Sequence, residues 1–132
     1  MIYQPTNIWG KGFVPESSTV GAFCDIAVPI GENCKIQTGV SIPPGWTIGD
    51  NVFIGPGARF ANDKHHAVKA NFEPLGGIVE DGACIGMGAM ILPCRIGKGA
   101  IVGTGSVVTK DIPDYEVWAG NPARFLRIVD RT

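Results

Sequence analysis

Residues 30–60 read IGENCKIQTGVSIPPGWTIGDNVFIGPGARF, and an aliphatic or aromatic residue returns at every sixth position: Ile30, Ile36, Ile42, Ile48, Ile54 and Phe60. Upstream, Val14, Val20 and Ile26 keep the same step before a shorter one of four residues to Ile30. Downstream, Val79, Ile85 and Ile91 resume it, a five-residue step leads to Ile96, and Val102 and Val108 complete the series. Four residues after most of these anchors stands a small or branched residue: Ser18, Cys24, Cys34, Val40, Val52, Ala58, Ala83, Ala89, Ala100 and Ser106. Glycine directly follows many anchors, at Gly21, Gly31, Gly49, Gly55, Gly86, Gly97 and Gly103. Glycine in that place suits a turn that needs either positive φ or close backbone approach.

The period decides the class of structure. At about 100° per residue, anchors six apart walk around a helix and leave it without an apolar face. In an extended segment an anchor and its partner four residues on point to the same side. Short strands closed by bends can therefore stack in parallel and bury one column of Ile and Val, which gives a solenoid with a core one residue wide. Trp46 departs from the pattern because it occupies a small-residue slot. Either the corner there is wider or that unit is locally rotated, and the first reading is favoured.

Composition narrows the function. The 132 residues are enough for one domain, with a net charge of −1 and 45% hydrophobic residues. Glycine, 19 of the 132 residues, is about twice as frequent as in an average protein, without a collagen period. The near-neutral charge offers no basic footprint for nucleic acid or an anionic membrane. No apolar run approaches the roughly 18 residues of a spanning helix, and residues 1–10 lack a basic segment followed by an apolar one, so a cytoplasmic protein is expected. Cys24, Cys34, Cys84 and Cys94 form no Cys-x-x-Cys pair, and His65 and His66 are the only histidines. A metal site is not expected, and the cysteines read as small core fillers.

Three runs carry a resemblance. They are residues 48–55 (IGDNVFIG), 96–111 (IGKGAIVGTGSVVTKD) and 119–124 (AGNPAR). The chain, from about Val14 to Arg127, resembles the hexapeptide-repeat acyltransferases, whose fold is a left-handed parallel β-helix. The resemblance implies an all-β single domain over 1–132, with about five coils (8–60 and 79–110), a protruding loop (61–78) and a C-terminal extension (111–132). In that extension residues 112–118 read as an extended exit strand, and residues 122–129 as a short helix carrying Arg124 and Arg127.

The loop interrupts the period and holds both histidines, two carboxylates and two amides, which points to function. Its start, Phe60-Ala61-Asn62-Asp63-Lys64-His65-His66-Ala67, is similar to the Phe-Thr-Asn-Asp-x-x-Pro-Arg run of enzymes that acetylate amino groups on nucleotide-linked sugars. The Asn-Asp pair is kept and the Pro-Arg pair is absent. The related maltose and galactoside O-acetyltransferases place a histidine base in this loop, a role open to His65 or His66. The implied catalytic set is therefore Asn62, Asp63, His65 and His66. The implied cosubstrate is acetyl-CoA, held beside the C-terminal coils by Met87, Thr104, Thr109, Lys110, Arg124 and Arg127. The implied assembly is a homotrimer with sites between subunits, and the acceptor a sugar or nucleotide sugar.

These residue types suit acyl transfer. A neutral histidine, with an ordinary pKa of about 6.5, can take a proton from a hydroxyl near neutral pH. An amine needs less help, and an Asn oxygen with an Asp carboxylate can hold it in line and accept its proton. Backbone N–H groups at glycine turns can stabilise the oxyanion. Lysine and arginine can meet phosphates. Three readings stay open beside N-acetylation: O-acetylation with a histidine base, a non-catalytic structural β-helix subunit, and a γ-type carbonic anhydrase, which would need a third histidine.

Overall fold

The computed structural model describes residues 1–63 and 74–130, and among them it contains strands and turns but no helix. Three flat faces share one aliphatic core. The first face holds β2 (Thr19–Val20), β4 (Lys35–Ile36), β7 (Phe53–Ile54), β10 (Cys84–Ile85), β13 (Ile101–Val102), β15 (Glu116–Gly120) and β16 (Ala123–Ile128). The second holds β1 (Asn7–Ile8), β3 (Asp25–Ile26), β5 (Ser41–Ile42), β8 (Arg59–Phe60), β11 (Met90–Ile91) and β14 (Val107–Val108). The third holds β6 (Thr47–Ile48), β9 (Ile78–Val79) and β12 (Arg95–Ile96), continued by a bridge from Ile96 to Ile112. All pairings in the stack are parallel and join one coil to the next, as in Phe53–Cys84–Ile101 and Ile54–Ile85–Val102.

Both columns seen in the sequence point inward. The anchors from Val20 to Val108 are buried, and so are all ten residues four places after them, from Ser18 to Ser106. The two serines are satisfied where they lie: Ser18 Oγ donates to Gly31 O and accepts from Cys34 N, and Ser106 Oγ accepts from Gly120 N. About six coils are present where about five were expected, because the rungs at Ile112 and β15 continue the stack above residue 110.

The spacing between anchors depends on which corner the chain turns. From the first face to the second it is six residues every time: Val20 to Ile26, Ile36 to Ile42, Ile54 to Phe60, Ile85 to Ile91, Val102 to Val108. From the third face to the first it is also six, as in Ile48 to Ile54 and Ile96 to Val102. Only from the second to the third does it vary, with four residues from Ile26 to Ile30 and from Val108 to Ile112, five from Ile91 to Ile96, and 19 from Phe60 to Val79. The loop is therefore an extreme case of the one corner that varies.

The glycines divide by position. Those directly after an anchor allow close approach: a Cβ on Gly31 would lie 2.2 Å from Gly49 O, and one on Gly86 2.6 Å from Thr104 N. Positive φ falls two residues later, at Gly39, Gly57, Gly88 and Gly105 on the corner between first and second faces. In the lowest coil that place is taken by Phe23, at φ 61° and 70% exposed.

The helix expected at residues 122–129 is absent; those residues form β16, antiparallel to β15. β15 is the last rung of the first face, and its outer edge carries backbone N–H and C=O groups that the returning chain satisfies. The residues before it also differ from expectation: Ile112 bridges to Ile96, a turn follows, and the extended exit strand begins only at Glu116. Trp118, in register with Val102, packs over the end of the core, and Lys110 Nζ lies 5.6 Å from the centre of its ring.

Replacing Phe23 by glycine is expected to stabilise the protein by about 1 kcal/mol, the cost of a left-handed conformation for a residue with a Cβ. Urea unfolding should show the higher midpoint, and Gly57→Ala, where φ is +72°, should lower it by a similar amount.

Candidate active site

The site is built around the neck of the loop. Strand β8 ends at Phe60, and Ala61 N still donates to Ile91 O at 2.8 Å, so the chain leaves the coil only after Ala61. The indole N–H of Trp46 donates to Ala61 O at 2.8 Å, and its ring meets Phe60 edge-on with centroids 4.8 Å apart. Asn62 Nδ2 donates to Pro44 O at 3.1 Å, which commits the nitrogen end of the amide and leaves the oxygen end as the acceptor. Where the chain returns, Leu75 N donates to Asn62 O at 2.8 Å. Gly76 passes so close to Gly45 that a Cβ on it would lie 1.7 Å from Gly45 O. Asn62 and Asp63 are half-buried at this neck. His65 and His66 lie outside the described residues.

Beside the neck, an apolar groove of about 400 Å³ runs over the outer surface of the second face, lined by Arg59, Phe60, Ala61, Met90, Ile91, Leu92 and Val107. The sequence reading did not name it. The signal was present one residue before each anchor, where the outward positions change from Asn7, Asp25 and Ser41 in the lower coils to Met90 and Val107 in the upper ones.

The residues expected to hold the cosubstrate are spread over three places. Met87 and Thr104 lie exposed on successive coils of the corner between first and second faces, where Gly105 N donates to Met87 O at 2.8 Å. Thr109 and Lys110 lie at the opposite margin of the second face, with Lys110 drawn over Trp118. Arg124 and Arg127 are carried by β16, in register with Ala119 and Val117, and each donates to a neighbouring carbonyl, of Ala123 and Ile128 respectively.

An ion-pair network lies elsewhere, on the third face. Arg95 Nη2 is 2.7 Å from Asp114 Oδ1, and this bond, with the Lys98 N–H, holds Asp114 below the usual carboxylate range while raising Arg95. That pair fastens the last coil. Among the described residues no cluster of three His, Cys, Asp or Glu is placed to hold a metal. No described helix is long and apolar enough to cross a membrane.

The four cysteines are in the reduced, thiol form. Cys24, Cys34 and Cys94 are buried, and Cys84 is half-buried on the outer side of the first face between Phe53 and Ile101. Burial raises the pKa of Cys24, Cys34 and Cys84, so none of these three is an activated nucleophile.

Residues 30–62 match the bacterial transferase hexapeptide model (six repeats), and residues 16–43 and 77–110 match the hexapeptide repeat of succinyl-transferase. Together the matches span more than half of the sequence, and the chain belongs to the hexapeptide-repeat transferase family. It is 37% identical over 118 residues to the bifunctional protein GlmU of Rubrobacter xylanophilus, covering 85% of this chain and 23% of that protein. It is 38% identical over 128 residues to serine acetyltransferase 2 of Arabidopsis thaliana, covering 96% of this chain and 32% of that one. The chain thus spans a third or less of these two relatives. Among solved structures, perosamine N-acetyltransferase from Caulobacter crescentus, in complex with CoA and GDP-perosamine, superposes with a TM-score of 0.72 at 27% identity, covering 95% of this chain and 55% of that one.

The raised thiols make stability depend on pH. Their folded pKa values lie above the unfolded ones, so their contribution is complete below the ordinary thiol pKa of about 8.5 and declines as the pH rises past it. Urea midpoints are expected to fall between pH 8 and 9.5, with a shallower fall in a Cys24→Ala, Cys34→Ala, Cys84→Ala variant.

Proposed function

We propose that the protein is an acyl-CoA-dependent acyltransferase that moves acetyl from acetyl-CoA to the amino group of a nucleotide-linked amino sugar. The observation that carries this reading is the neck of the loop: Asn62 and Asp63 follow directly on Ala61, which lines the apolar groove, and the amide of Asn62 is fixed by Pro44. The perosamine N-acetyltransferase complex, which binds CoA and an amino sugar linked to GDP, supports it.

In this mechanism the groove along the upper coils takes the apolar arm of acetyl-CoA, and Lys110, Arg124 and Arg127 are the cations available to its phosphates. The Asn62 oxygen accepts a hydrogen bond from the acceptor amine and holds its lone pair toward the thioester carbonyl. Attack forms the C–N bond, and backbone N–H groups at the corners steady the oxyanion. Collapse breaks the C–S bond. Asp63 takes the amine proton transiently, and the departing CoA thiolate receives it.

The active unit in this reading is a homotrimer. Its support is the contrast between faces: outward positions are apolar at Phe53, Cys84 and Ile101 on the first and at Met90 and Val107, above Arg59, on the second, while the third carries the Glu80–Arg95–Asp114 network around Ile78. Two apolar faces meeting around a threefold axis would place each neck against a neighbour.

The direct test is CoA release across a panel of nucleotide amino sugars, free amino sugars and plain sugars, with activity expected on the first group. For the cosubstrate, Lys110→Ala with Arg127→Ala is expected to weaken CoA binding at least tenfold by calorimetry, as a charge-assisted hydrogen bond contributes about 1.5 to 3 kcal/mol. Unchanged affinity would move the phosphates elsewhere.

The acceptor class follows from who handles the proton. Asn62→Ala and Asp63→Ala are expected to cost more kcat/KM than His66→Ala, with His65→Ala intermediate and partly rescued by raising the pH. A histidine variant inactive at every pH, with near-normal rates for the Asn62 and Asp63 variants, would assign the enzyme to hydroxyl acceptors. Loss of a general base there costs roughly 10²- to 10⁴-fold.

A further inference from the structure

We propose that Trp46 is a positioning residue whose indole N–H sets the direction in which Asn62 and Asp63 leave the coil. The inference rests on the reading of those two residues as the acceptor-handling pair. Trp46 is 4% exposed, so it acts through the backbone it holds and not on a substrate.

In the coils just below and above Trp46 the slot two residues before the third-face anchor is small, with Val28 before Ile30, Gly77 before Val79 and, one coil further, Cys94 before Ile96. Trp46 is the exception, and Gly77 makes the room. A Cβ on Gly77 would lie 2.9 Å from Trp46 Cη2 and 2.0 Å from Cys94 O. The widened corner is therefore a fitted pair of a large residue under an absent one, and it lies directly beneath the loop.

The indole spans the last two residues before the neck. Its ring packs on Phe60 with an interplanar angle of 67°, and its N–H is committed to Ala61 O. A buried indole N–H without a partner is costly, so the bond is held firmly. Because the peptide is planar, fixing the Ala61 carbonyl also fixes the Asn62 N–H plane and narrows the paths of the next residues. The same corner contributes two more holds, Pro44 O on the Asn62 amide and the Gly45 backbone against Gly76 on the returning strand. One tight turn, Pro43 to Trp46, thus grips both ends of the loop. The corresponding corners at residues 27–29 and 92–94 hold neither a tryptophan nor a loop.

The test removes the N–H, with some loss of volume in Trp46→Phe and with the shape kept in the benzothienyl side chain. Trp46→Phe, and replacement of Trp46 by benzothienylalanine, in which sulfur takes the place of the indole N–H, should each bind CoA with unchanged affinity and one site per chain. Their kcat with the amine acceptor should fall about 10- to 100-fold, as expected for a displaced reacting group. In an Asn62→Ala, Asp63→Ala background the same change should cost less than twofold, because neither side chain remains to be aimed. A loss that multiplies with that of this double variant, or normal kcat/KM in the benzothienyl protein, overturns the proposal. If the wild type acetylates no amine, the proposed function has failed, and positioning is read from the Asn62 side-chain amide resonances. Displacement of those resonances in the benzothienyl protein supports it, and unchanged resonances overturn it.

Discussion

The structure depends on one constraint: each face of each coil presents its anchor side chain to a core one residue wide. Ile36, Ile54, Ile85 and Val102 follow one another up the first face, and each packs only against its own coil and the two next to it. A core this narrow cannot absorb a register slip, since moving a strand by one residue would turn its anchor to solvent. Two corners accordingly hold to a fixed step. The third alone varies, and the chain places its long insertion there.

Corner chemistry follows from the same stacking. Coils lie so close that glycine often follows an anchor directly, while the positive φ two residues later is met by glycine, by asparagine at Asn33 and Asn51, or by an aromatic residue at Phe23 and Tyr115. Carboxylates then tie one coil to the next along the corner between third and first faces. Asp50 accepts from Glu32 N, Asp81 from Asp50 N and Asp114 from Lys98 N, each at 2.8 Å. Each of these bonds uses a backbone donor that a turn would otherwise leave to water. The result is a scaffold rigid enough to present a loop from a fixed pair of residues.

Much of this was legible in the sequence. A period of six with a second apolar column cannot be helical, and every residue assigned inward from that pattern, from Val20 to Val108, is buried. The wider corner at Trp46 was readable too, because a tryptophan in a small slot needs space. What the spacing could not show was contact between residues distant in sequence, such as the room left by Gly77 or the hold of Pro44 on Asn62. The C-terminal hairpin was misread because local composition around Arg124 and Arg127 admits a helix, whereas the open edge of β15 decides for a strand. For the cosubstrate residues, the resemblance supplied positions along the chain. The corners of a three-faced solid then separate Met87 and Thr104 from Thr109 and Lys110.

A corner that accepts four, five, six or nineteen residues has a meaning beyond this molecule. Insertions and deletions there are nearly invisible to the scaffold, whereas the same changes at either other corner would shift every coil above them. Evolution can therefore exchange the loop as a cassette while keeping the neck and the groove. Diversity in such a lineage would gather along one edge of the prism, and the other two edges would record its ancestry.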